Sequence, residues 1–305
     1  MLWILAFLGY IPSSMPYVNP YADGGEWLRA NFHGHCSEHS VCATVPLETG
    51  VRQYTGIGAG CVTLTDHNHV TDLGEMRRAF PGTIFLEGFE YSYGPNFVIA
   101  GEHVEPMYDM DPREALIRSA NLLRFICHPQ PHMEREYWPT AAMIALQDRV
   151  DGIEAYNGHY GIARMREGGH IPDYRHVWDL LLTAGCQFWG YANDDFHETA
   201  DFNNAFNMVC VTDKTPSGVV EAAKHGCCYG STGLLLERVE MLQNSVRITL
   251  PEEAKGRFRG NGGRILRTQT GRLFDLKFDE KQKYVRFEAE VDGRLLFLQP
   301  FFKTT

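Results

Sequence analysis

The chain has 305 residues, 44% of them hydrophobic and 22% charged, with a formal net charge of -10. That length holds one large α/β domain, or a domain of roughly 230 residues with a small annex, and the composition excludes disordered and fibrous architectures. The negative charge and the lack of any lysine or arginine run exclude a nucleic-acid groove, while a small anionic substrate stays open because bound cations can reverse the field inside a pocket.

The N-terminal MLWILAFLGYIP has no basic flank and an apolar run of only about ten residues, too short for a membrane span and poor as a signal peptide. The expectation is a packed N-terminal segment in a cytoplasmic protein without membrane contact, with export through that segment as the alternative. From there to about Gly233, short apolar runs alternate with helical stretches, the pattern of βα units around a parallel sheet. The strands expected in chain order are WLRANFHGH, CVTLTDH, TIFLEGFEYS, NFVIAG, RFICHP, DGIEAYN, CQFWGYANDD and FNMVCVT. Helices are expected over Pro46 to Gly58, Asp111 to Leu122, Pro139 to Gln147 and Asp173 to Ala184. Pro46 and Pro139 suit a first helical turn, and Asp111 before Pro112 reads as an N-cap.

After GCCYGSTG the period changes to two. YVRFEAEV alternates strictly, with Val285, Phe287, Ala289 and Val291 on one face, and Asp292-Gly293 makes a hairpin turn into RLLFLQPFF. The division is therefore a barrel over residues 1–235 and a small β domain over 236–305 packed on it, with GNGG at 260–263 as a loop between annex strands. The eight cysteines lie at irregular spacings in a chain long enough to need no disulfide framework, so they are read as reduced and mostly buried.

Metal-ligand side chains fall at strand ends. The first strand ends in His33 and His35, the second in Asp66-His67, the third in Glu90, the fifth in His128 and the seventh in Asp195 and His197. In a barrel of parallel strands these ends converge on one mouth. Members of the pairs His33/His35 and Asp195/His197 are two apart, so on extended chain they point to the same side. Imidazole and carboxylate together suit zinc, manganese or iron. Each site alone has a plain explanation as a turn or a surface histidine, as expected for His132, His170 and His176, but those explanations would have to hold independently at five strand ends. A rival for NFHGHCSEHSVC is a structural zinc on Cys36, His39 and Cys42 with Cys227 or Cys228. Covalent catalysis finds no support, since YGSTG lacks the G-x-S-x-G elbow and no cysteine opens a helix.

The ordered set NFHGHCSEHS, TLTDHN, FLEGFE, FICHP and ANDDFH resembles the metal-binding motifs of the PHP domain family of metal-dependent hydrolases and phosphoesterases, over about Asn19 to Gly233. The C-terminal strands look like those of the CehA/McbA-like branch. The resemblance implies a distorted (β/α)7 TIM-like barrel with ions at its mouth, and by motif match His33, His35, His67, Glu90, His128, Asp195 and His197 take the ligand positions. Ser40 stands where the family usually has an aspartate, and Asn96 where it often has a histidine, so two divalent ions (Zn, Mn or Fe) are expected, with three as the alternative. The carboxylated lysine that bridges metals in many amidohydrolases has no counterpart, because no lysine precedes Lys214.

The expected activity is metal-dependent hydrolysis of a small, anionic substrate, a phosphoester, by a metal-activated water, with His128 or His197 as the acid. Glu38, His39, Asn96, Arg135, Asn157, Arg164 and Arg166 are the expected substrate contacts, with Tyr137, Trp138, Tyr156 and Tyr160 as aromatic walls. The alternatives are a carbamate, ester or amide hydrolase on the same site, and a catalytically reduced metal-binding module.

Overall fold

The computed structural model describes residues 17–242 and 244–304, so the N-terminal apolar run lies outside the described residues. The strands β1 (Glu26–Asn31), β2 (Cys61–Leu64), β3 (Ile84–Tyr91), β5 (Leu123–Ile126), β6 (Gly152–Asn157) and β7 (Trp189–Asn193) all run in one direction. β2 and β5 are buried at every residue, as strands covered on both faces must be. Between them lie α1 (Leu47–Gly56), α2 (Gly74–Ala79), α3 (Pro112–Arg118), α4 (Thr140–Ile144), α5 (Ala163–Glu167) and α6 (Arg175–Ala184). Pro46 and Pro139 stand one position earlier than expected, as the caps of α1 and α4. The Asp111 side chain accepts N–H bonds from Arg113 and Glu114 and starts α3.

The sheet departs from an all-parallel barrel at two strands. β4 (Phe97–Gly101) runs against β3 and β5 because only residues 92–96 separate it from β3, too few for a crossover helix. β8 (Phe206–Val211) runs against β1 and β9 (Cys228–Ser231), with α7 (Pro216–Lys224) between β8 and β9. The six parallel strands still present their C-terminal ends on one side.

No backbone ladder joins β7 to β8. Two side-chain amides stand in for it. Asn207 accepts from the Ala192 N–H at 3.0 Å and donates to the Ala192 carbonyl at 2.7 Å. Gln299 does the same for Gly190, at 2.8 Å in each direction. Both amides are fully buried, so each supplies a strand edge with a donor and an acceptor that water cannot reach. Gly190 is needed for a second reason: a Cβ there would lie 2.6 Å from the Trp178 indole of α6.

The C-terminal strands β10 (Arg238–Leu242), β11 (Ser245–Gly260), β12 (Arg264–Lys277), β13 (Tyr284–Val291) and β14 (Arg294–Leu298) are antiparallel, and β14 continues the barrel sheet by pairing β9. Asp292 and Gly293 both have positive φ, 48° and 77°, as the expected two-residue hairpin requires. Val285, Phe287 and Ala289 are buried as read from the alternation, but Arg286 and Glu288 on the opposite face are buried too. That face meets α6, where Arg286 binds Asp179 through Nε and Nη2 and Glu288 through Nη1. Burial pushes the Glu288 carboxyl up, and Arg286, Arg175 and Arg259 outweigh this and bring it down to about 2. Among the described residues, no helix is long and apolar enough to cross a membrane.

Replacing Asn207 or Gln299 by leucine leaves one buried N–H and one buried carbonyl of β7 unpaired. Each variant should lose roughly 2–6 kcal/mol in urea denaturation, from about 1–3 kcal/mol for each of the two orphaned groups; a loss under about 0.5 kcal/mol would show that the edge of β7 does not depend on them.

Candidate metal centre

β1 continues as extended chain through His33 and His35, held by a parallel bridge between Gly34 and Phe196, and this sets both imidazoles on the same side. Their Nε2 atoms are 3.3 Å apart. Asp195 Oδ1 lies 3.1 Å from each, and Glu90 Oε2 lies 3.3 Å from each. A tetrahedral ion with ligands at ~2.0–2.1 Å needs ligand atoms about 3.3–3.4 Å apart, so these four atoms stand at the edge lengths of a coordination shell.

The four groups are buried, and Glu90 Oε2 has no hydrogen-bond partner. His67 Nδ1 comes within 2.9 Å of that oxygen without hydrogen-bond geometry and is itself unpartnered. Burial pushes the Glu90 carboxyl up, but His33, His128 and His35 hold it well below its ordinary value. Burial likewise lowers the His33 imidazolium, yet Asp195, Glu90 and Glu154 raise it well above the usual range. Carboxylates around a donor cradle call for a cation, and an orphaned carboxylate oxygen aimed into it fits one.

The support around these donors is complete. Glu154 in β6 accepts from His33 Nδ1 at 3.0 Å, the His128 N–H at 2.9 Å, Asn157 Nδ2 at 2.8 Å and Asn193 Nδ2 at 3.0 Å. Four donors use all of its lone pairs, so Glu154 orients His33 and leaves the His33 Nε2 lone pair free for an ion. On the other side, Ser40 Oγ lies 3.3 Å from His35 Nδ1 and donates to Asp66 Oδ1 at 2.6 Å. Asp66, buried, also accepts from Thr71 and from the Cys36 amide and thiol. Asp195 and His128 adopt positive φ, 50° and 25°, at the ends of β7 and β5.

All seven residues expected as ligands meet at this mouth. His35, His67 and His197 form one cluster and His33, His35, Glu90 and Asp195 another, while His128 reaches Glu90 Oε1 through Nε2 at 3.0 Å. The substrate contacts fare differently. Asn96 donates to Glu90 Oε1 at 2.6 Å and accepts from the Tyr137 hydroxyl, so it holds a carboxylate in place. Asn157 donates to Asp195 Oδ2 at 3.0 Å as well as to Glu154. Glu38 accepts from the Leu47 N–H at the start of α1, and His39 stacks on His69 with ring centres 4.0 Å apart. Arg164 is bound to Glu198 at 2.7 Å, and Arg135 and Arg166 are exposed on loop and helix surface. The rival zinc site is not formed: the Cys36 thiol binds Asp66, Cys42 is exposed, and among the described residues no cysteine joins a metal-binding group of three.

Sequence reasoning missed Glu154, His159 and Asp201. Asp201 is fully buried and accepts from His159 Nδ1 at 2.9 Å, and one ligand atom each from His159, His197 and Asp201 lies within 4.8 Å of the others. Glu154 did carry a signal, an acid within the otherwise apolar strand GIEAYN.

No family model matches the chain, and no curated protein matches it. Solved structures do. A two-domain protein from Bacteroides vulgatus ATCC 8482, described as containing a predicted PHP-like metal-dependent phosphoesterase, is 16% identical with a TM-score of 0.55, over 89% of this chain and 92% of that one. PsfC from Pseudomonas syringae PB-5123 is 11% identical with a TM-score of 0.44, over 65% of this chain and 88% of that one. An amidohydrolase from Chromobacterium violaceum is 13% identical with a TM-score of 0.38, over 55% and 87%. The first match covers barrel and C-terminal strands together, and the fold of this chain is that of PHP-like phosphoesterase structures.

Glu154→Gln puts an amide N–H among four donors and loosens the His33 tautomer. Metal affinity, measured by competition with a chromogenic chelator, should fall ~10–100-fold; unchanged affinity would remove Glu154 from the support of the site.

Proposed function

We propose that this chain is a metal-dependent hydrolase acting on a phosphoester with two divalent ions, Zn, Mn or Fe. The observation that carries this reading is the set of four buried ligand atoms in which His33 Nε2 and His35 Nε2 lie 3.1–3.3 Å from each other and from both Glu90 Oε2 and Asp195 Oδ1. They would hold one ion, and His67 with His197 would hold the other, with Glu90 between the two groups. When bound, divalent ions supply Lewis-acid polarisation of the substrate and a nucleophile at neutral pH.

The chain's own groups position and protonate. Asn96 and His128 occupy Glu90 Oε1, so that carboxylate offers Oε2 alone to the cradle. His197 donates Nδ1–H to its neighbour's carbonyl, Asp195 O, at 2.7 Å, which leaves Nε2 as its lone-pair atom and suits it to ligation. His128 stands between the Tyr137 and Tyr160 rings, 5.7 and 5.4 Å away, with Nδ1 unpartnered. That unpartnered nitrogen supports His128 as the group that would pass a proton to a leaving oxygen.

One observation supports a second reading, hydrolysis of a carbamate, ester or amide. Arg164 is bound to Glu198, and Arg135 and Arg166 are exposed, with no bond to the site among the described residues, which favours substrates of low charge over a dianionic monoester.

Protein stripped by a chelator and reloaded separately with Zn, Mn and Fe should be assayed on an aryl phosphodiester, an aryl monoester and an aryl carbamate. Turnover of at least one should vanish on stripping and return on loading, and Glu90→Ala should lower it at least ~100-fold, equivalent to several kcal/mol of lost charge stabilisation. Loaded protein that turns over none of the three would favour the metal-binding module.

A further inference from the structure

Seven of the eight cysteines are buried, and five of these are occupied or out of reach. Cys36 binds Asp66, Cys228 accepts from Gln299 Nε2 at 3.3 Å, and Cys61, Cys127 and Cys186 are 1% exposed or less. Cys210 and Cys227 differ in having each other. The β8/β9 register sets Val209 opposite Cys228, and one step further along both strands Cys210 stands opposite Cys227, with the Cys210 N–H bonded to Cys227 O at 2.8 Å. Directly opposite residues of an antiparallel pair project to one face and lie about 4.5–5.5 Å apart at Cα. That separation falls inside the ~4.4–6.8 Å that a disulfide spans. The two thiols are in hydrogen-bond contact, Cys227 donating and Cys210 accepting. Both line one open cavity of about 590 Å³, walled also by Asp23, Thr212 and His225, which brings a small oxidant up to the pair although Cys210 is only 5% and Cys227 7% exposed.

We propose that Cys210 and Cys227 are a redox pair, which a low-molecular-weight disulfide such as oxidised glutathione converts into a cross-strand disulfide between β8 and the start of β9. The inference stands independently of the metal-dependent reading above. Burial pushes both thiols up, Cys227 to about 12 with Cys210 adding to the rise, while the bond from Cys227 offsets part of the rise at Cys210. Cys210 is therefore the thiol that ionises first and attacks. Its thiolate bonds to one sulfur of the oxidant, the S–S bond of the oxidant breaks, and the departing thiolate takes a proton from water. Cys227 then loses its proton to solvent, its sulfur attacks that of Cys210, and the second half of the oxidant leaves as a thiol. Two protein thiols are oxidised and one disulfide is reduced to two thiols. Cys210 lies opposite Trp27 at the beginning of β1, whereas His33 and His35 follow the end of that strand. The cross-link thus closes the loop that carries α7 at the end of the barrel away from the mouth, where it stiffens the scaffold without touching the donors.

The test is equilibration of the whole native chain with mixtures of reduced and oxidised glutathione in mildly alkaline buffer, followed by alkylation of the remaining thiols and mass mapping of the peptides before and after reduction. A Cys210–Cys227 peptide pair should be the main internal disulfide and should vanish on reduction, and the oxidised chain should melt about 5 °C higher than the reduced one. Cys210→Ser and Cys227→Ser should each abolish both the pair and the shift. Oxidised native chain in which both cysteines are recovered alkylated, or carry only separate glutathione adducts, overturns the proposal, and so does a pair that forms only after unfolding in urea. The map is read on the wild-type chain, so it decides the matter even where a serine variant does not fold.

Discussion

Burying Glu90, Glu154 and Asp195 together at the end of an apolar barrel is the constraint on which the rest of the structure depends. Each carboxylate is 2% exposed or less. Unpaired, such groups cost several kcal/mol apiece. The three are treated differently. Glu154 has every lone pair filled by a protein donor, whereas Glu90 keeps Oε2 unpartnered and Asp195 turns Oδ1 towards two imidazole nitrogens. One carboxylate is therefore part of the scaffold, and two are left with unmet demand facing a common point. That asymmetry distinguishes a cation site from a self-neutralised network such as Arg286, Asp179 and Glu288, where each charge meets an opposite one.

Holding donors at such spacings demands a stiff frame, and the fold supplies it with side chains as well as ladders. The open edge of β7 is closed by Asn207 of β8 and by Gln299 after β14, and β7 is the strand that delivers Asp195 and His197. Gln299 belongs to the C-terminal segment, so that segment directly seals the edge of the strand that leads to the site. Its second contact, Arg286 to Asp179, fixes α6, whose Trp178 packs on Gly190 of the same strand. The C-terminal strands thus bear on the candidate metal centre mechanically, through β7, and supply none of the candidate ligand atoms.

Much of this was legible in the sequence because two periodicities cooperate there. Apolar strands of known direction end at one mouth, and H-x-H on extended chain faces one side, so seven side chains spread between His33 and His197 could be placed together. Where a residue's role depends on its partner, sequence gave less. Ser40 and Asn96 read as gaps in a ligand set, but their hydrogen bonds to Asp66 and Glu90 make them supports for the ligands that remain. His159 and Asp201 are 42 residues apart on separate loops, and no spacing rule joins them. The pairing of Arg164 with Glu198 likewise joins residues 34 apart that no spacing rule connects. β4 could not be assigned a direction from its apolar pattern, yet the five residues before it decided the matter.

The backbone at the mouth carries a cost that packing alone does not explain. Asp195 and His128 both sit at positive φ, a conformation that costs non-glycine residues about 1–3 kcal/mol each, and neither lies at a surface turn where a glycine would have been the ordinary solution. At His128 the backbone N–H is anchored on Glu154 while Nε2 reaches Glu90; at Asp195 the carboxylate reaches His33 and His35 while its own carbonyl accepts from His197. The persistence of these two conformations, between donors set at coordination distances, is an argument from energy that the mouth is arranged around a bound group and not around its own hydrogen bonds.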